Sequence, residues 1–148
     1  MIFLFGGFNN GVPLSSMDIY LPTVNRWCPV GSAVDLPFAM YSMEAAALPH
    51  QSHYVIYVTG GIRPDLDSAS GVDYSNSTLA YDPFDGDGGT WTVLAETLPE
   101  TRAYAGLMAI DCEVYILGGT TVVNQSIGSS TSRSVQVLHA KVYCAAST

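Results

Sequence analysis

The sequence predicts an all-β chain whose short strands are grouped into sheets stacked face to face. Three observations carry that prediction. Apolar runs end in a glycine pair at Ile2-Phe3-Leu4-Phe5-Gly6-Gly7, Ile56-Tyr57-Val58-Thr59-Gly60-Gly61 and Val114-Tyr115-Ile116-Leu117-Gly118-Gly119. Each run is followed by a polar loop and a second strand-like segment, at Met17–Leu21, Thr78–Asp82 and Val135–His139. Turn chemistry, as in Asp82-Pro83-Phe84-Asp85-Gly86 and Asp87-Gly88-Gly89, separates the segments.

The elements follow in the same order in each unit. The glycine-pair runs are apolar on successive residues, which predicts strands buried on both faces. Their glycines permit a turn or a close backbone approach that a side chain would block. Phe3, Tyr57 and Tyr115 each stand four positions before the second glycine and offer a large area for packing one sheet on the next. The second segments lead to Trp27 and Trp91, then to Leu36-Pro37 and Leu98-Pro99. Further apolar segments, Tyr41 to Leu48 and Ala103 to Ile110, precede the next glycine pair. Residues 40–48 have helix-forming composition, but their place in the repeat predicts a strand. Together these segments describe four short strands per unit, with units at about 1–37, 38–99 and 100–148 of a single region.

Units that recur at about 50 residues, with a glycine pair, a tyrosine and a tryptophan, resemble the kelch repeat. The middle unit has the fullest set: Gly60-Gly61, Tyr81-Asp82-Pro83, Trp91, Leu98-Pro99 and Arg102. The first keeps Gly6-Gly7, Tyr20, Trp27 and Leu36-Pro37, with Met40 standing where Arg102 stands. The third keeps Gly118-Gly119, but Leu138 replaces the tyrosine. A β-sandwich would explain short strands but not this ordered recurrence. The resemblance implies a β-propeller of about three four-stranded blades, a partial ring, since propellers usually have 4–8 blades. The chain is therefore expected to be part of a longer propeller, to associate with copies of itself through apolar end blades, or to form an open array.

Composition narrows the function. Of the 148 residues, 48% are apolar and 12% charged, which supplies ample core material. Acidic residues outnumber basic ones, 13 to 5, for a net charge of −8. Nucleic acid and anionic membrane are thus poor partners, and a basic protein surface is a better one. No apolar run reaches the ~18 residues of a membrane span. Cys28, Cys112 and Cys144 are odd in number and far apart, so neither a disulfide framework nor a zinc knuckle is implied. An intracellular, reducing compartment is expected; the sequons at Asn76 and Asn124 make secretion the alternative.

No catalytic set, metal centre or cofactor site is expected. His50 and His53 have metal-like spacing, but in one extended segment they would point to opposite faces. Asp82, Asp85 and Asp87 lack an EF-hand's spacing and its closing glutamate. The turn before Trp91 only partly resembles the Asp-box of sialidase-type propellers, since Phe84 and Gly86 replace its Ser and Asp. Tyr143-Cys144 are adjacent, the wrong arrangement for the facing pair of a radical-copper site. The expected role is a protein-interaction module, an adaptor segment whose loops meet a protein partner. The resemblance places the loops after each glycine pair, and those between blades, on one face. Asn9, Asn10, Arg63, Asp65, Arg102, Asn124 and Gln125 are the candidate partner-binding residues, with the arginines as anchors. The rival reading is a piece of a sialidase, epimerase or oxidase propeller whose active site other blades complete.

Overall fold

The structure, a computed structural model, describes residues 1–65, 67, 71–111, 113–124, 128–132 and 134–138. The chain is all-β. It begins with β1 (Ile2–Phe5), the short hairpin β2 (Phe8–Asn9) and β3 (Val12–Pro13), then β4 (Met17–Leu21), a 3-10 turn at Pro22–Val24 and β5 (Arg26–Trp27). The middle region holds β6 (Glu44–His50), β7 (His53–Thr59), the hairpin β8 (Ile62–Pro64) and β9 (Val72–Tyr74), then β10 (Thr78–Asp82) and β11 (Thr90–Val93). The last holds β12 (Gly106–Ile110), β13 (Glu113–Leu117), the hairpin β14 (Thr120–Asn124) and β15 (Gly128–Thr131), then β16 (Val135–Leu138). His139, Cys112, Tyr143 and Cys144 lie outside the described residues. No helix in the described residues is long and apolar enough to cross a membrane.

These strands form three antiparallel sheets of like design. The orders are β1-β4-β5, β6-β7-β10-β11 and β12-β13-β16. Only the middle sheet shows all four expected strands among the described residues. Its β6 is a strand despite the run Ala45-Ala46-Ala47, because β7 pairs with it along its whole length, from Glu44↔Thr59 to His50↔His53. Pairing and burial override weak helix propensity here.

The middle sheet is the core of the stack. Ile56 and Val58 of β7, with Leu79 and Tyr81 of β10, face the first sheet and pack on Phe3, Phe5, Met17, Leu36 and Met40. The alternate residues Val55, Tyr57 and Ala80, with Leu48, face the third sheet and pack on Leu107, Ala109 and Val114. This two-sided burial is why β7 reads as a continuous apolar run. Each fully buried Val, Leu or Ile contributes about 1.5–3 kcal/mol relative to exposure.

The flanking strands depart from the expectation of two-sided burial. In β1, Phe3 and Phe5 turn inward while Ile2 and Leu4 remain 56% and 58% exposed. In the third sheet, Val114 and Ile116 are buried, while Met108, Ile110, Leu117, Val135 and Val137 form an exposed face. The two tryptophans differ for the same reason. Trp91 packs against Tyr81 and Phe5 and donates its indole N–H to the Val34 carbonyl at 2.9 Å, so it joins two sheets. Trp27 meets only the Tyr20 ring among the described contacts and is 54% exposed, because no described sheet covers its side.

Candidate interaction face

Each glycine-pair strand runs directly into a short hairpin. The first turns at Asn10-Gly11, both at positive φ (48° and 86°), the conformation this dipeptide favours in a two-residue turn. The linkers between sheets bind these hairpins together. The Met40 carbonyl accepts the Gly7 amide at 2.9 Å, and Tyr41 exchanges backbone hydrogen bonds with Ile62. The next linker repeats the pattern: Arg102 accepts the Gly61 amide at 2.7 Å, and Ala103 exchanges hydrogen bonds with Thr120. The Tyr104 amide donates to Ser42, which ties linker to linker. The approach demands glycine. At φ 69°, a β-carbon on Gly60 would collide with the Arg102 carbonyl oxygen.

The result is one continuous edge carrying the hairpins side by side. Asn9 and Asn10 are exposed at the tip of the first hairpin. Arg63, on β8, is half-buried, with its guanidinium carbon 4.7 Å from the centre of the Phe38 ring. Asp65 follows β8 and accepts the Asp67 amide at 3.0 Å, so it shapes the loop. Asn124 ends β14, and Gln125 lies outside the described residues.

Arg102 does not stand on this face. It is 1% exposed and spends its donors inside the chain, on the Gly118 carbonyl, on Ser134 Oγ at 2.7 Å and on Glu100 at 3.0 Å. Its repeat partner Met40 is equally buried. The expectation of a partner-facing arginine is corrected on that ground: the position is an inward one in both units.

Residues overlooked in the sequence also line the edge. The Phe8 ring lies 4.8 Å from Tyr41 and is 55% exposed. Tyr104 is 59% exposed and held at φ 54°. Burial, then the neighbouring Tyr104 and Tyr74, push the Tyr41 hydroxyl above its ordinary pKa. A signal existed: Ser42 and Tyr104 stand at the same distance after Leu36-Pro37 and Leu98-Pro99, and both adopt φ 54°.

At the opposite end of the middle sheet a second cluster appears. His50 and His53 flank the turn at Gln51-Ser52, and the hairpin makes them direct cross-strand partners. The expectation that they face opposite ways is overturned, because the chain reverses between them. Asp82, the last residue of β10, lies 3.0 Å from His53 Nε2 and accepts the Phe84 amide at 2.9 Å. Partial burial pushes the Asp82 carboxyl up, but the Phe84 amide and the histidines outweigh it and hold it below the usual carboxylate range. Asp85 and Asp87 are exposed and do not join the group. Beside it, a mainly apolar groove of about 520 Å³ runs between the first and middle sheets, lined by Met1, Phe3, Ala47, Ile56 and Phe84.

Among known families, a model described as the Kelch motif matches residues 1–33. The match falls on the first unit, which has the shorter loop after its glycine pair (8–16, against 62–77), although the middle unit carries the fuller residue set. No curated protein matches the chain.

Proposed function

Because this chain carries the kelch motif, we propose that it is a protein-interaction module that presents its hairpin edge to a protein partner. One observation carries the reading. Exposed Phe8 packs on Tyr41, exposed Tyr104 is bonded to Ser42 beside it, and the Phe38-backed Arg63 follows Ile62, the backbone partner of Tyr41. Tyrosine and arginine anchors of this kind dominate interface energetics, and loops on a fixed scaffold are where binding residues gather. Asn9, Asn10 and Asp65 supply a polar rim, and Asn124 and Gln125 stay candidates for it on the sequence alone. The net charge of −8 favours a partner with a basic surface. An adaptor role within a longer intracellular protein fits this reading.

The test uses the full chain as bait against a cell extract, followed by titration of the recovered partner. The double variant Phe8→Ala/Arg63→Ala is expected to weaken binding ~30-fold or more, as loss of a hot spot does. Asp87→Ala, in the turn at the far end of the middle sheet, is expected to bind normally. A partner held equally by the double variant would refute the proposed face.

A second reading rests on a separate observation, the two sheet faces that no described residue covers. Ile2, Leu4 and Trp27 on one side, and Met108, Ile110, Leu117, Val135 and Val137 on the other, are exposed apolar residues. Such faces support self-association of the stack through its ends.

A further inference from the structure

We propose that His50, His53 and Asp82 form a binding site for a divalent transition-metal ion of the zinc class. The donor atoms of the three residues all lie within 4.8 Å of one another. Two of the chain's three histidines meet there, brought together by the β6–β7 turn, while β10 delivers the carboxylate.

The surroundings hold the donors in place. All three residues are half-buried. The His53 ring is flanked by His50 at 5.3 Å and Phe84 at 5.0 Å between centroids. The Phe84 amide fixes Asp82 Oδ1 at 2.9 Å, the kind of outer contact that orients a metal-binding carboxylate. Two imidazoles and one carboxylate suit zinc, cobalt, nickel or copper, whereas calcium and magnesium take all-oxygen sets. Three protein donors leave room for water or an outside ligand, unlike the closed four-ligand sites of zinc fingers. The ion would clip together β6, β7 and β10, and the acidic chain would raise the local cation concentration.

The experiment titrates the metal-stripped full chain with Co²⁺, read by visible absorption, and then displaces the cobalt with Zn²⁺. One saturable cobalt site per chain is expected, with zinc competing for it. His50→Gln should weaken binding at least tenfold, since even outer-shell changes cost ~10–100-fold, while circular dichroism shows the sheets intact. His139→Gln should bind as the parent does. Absence of saturable cobalt absorption overturns the proposal. So does unchanged affinity in a folded His50→Gln, or a loss that follows His139→Gln instead.

Discussion

Replacing Arg102 by alanine separates a surface role from a structural one. The side chain is 1% exposed and links its own linker to the third sheet through Gly118 and Ser134. Truncation leaves the Gly118 carbonyl without its charged donor and opens a void of arginine size. Losing the buried donors costs ~1–3 kcal/mol, and with the void the total reaches ~3–5 kcal/mol, as for other large-to-small core changes. The Glu100 contact adds little, since that side chain is 53% exposed. At ~2–4 °C per kcal/mol for a chain of this size, the melting temperature should fall by roughly 6–20 °C. Arg102→Met is the control, because Met40 fills the same place in the first unit. It keeps apolar volume and forfeits only the donors, at about 1–3 kcal/mol. Urea and thermal unfolding followed by circular dichroism measure both. An alanine variant within ~0.5 kcal/mol of the parent, the range of an ordinary surface change, would refute the structural assignment.

The tryptophans give an internal comparison. Trp91→Ala should cost ~3–5 kcal/mol, and Trp27→Ala, at a site 54% exposed, under about 1 kcal/mol; equal losses in thermal melts would contradict the account of which sheet faces are covered. Light scattering behind a sizing column should show a folded species of two or more times 15.8 kDa, and a compact, stable monomer would end the self-association reading.

The periodic features were legible before any coordinates. The glycine pairs, the two-faced run at β7 and the strand at β6 all follow from position in a repeat. What the sequence hid depends on neighbours. Ile2 and Leu4 look like core residues, and only the covering of one sheet by another decides that they are not. Arg102 reads as a surface anchor because the resemblance puts an arginine near that face and arginine anchors interfaces, yet the Gly118 carbonyl and Ser134 Oγ of the next unit hold its guanidinium inside. The pairing of the histidines is hidden for a local reason: a reversal at Gln51-Ser52 has no Asn-Gly or Gly signature, so two facing residues resemble one continuous strand. The aromatic edge has no sequence signature of its own, because Phe8 and Tyr104 reach it through backbone geometry.

The two faces left exposed among the described residues lie at opposite ends of the stack and are built from different residues. Joining one to the other is therefore head-to-tail, and every copy added leaves a fresh pair of ends. Symmetry then offers two outcomes. If the rotation between successive copies divides a full turn, the assembly closes into a ring and both faces vanish; if it does not, growth continues as a helical filament. The angle between neighbouring sheets, set here by the linkers at Met40 and Arg102, is the quantity that chooses between them.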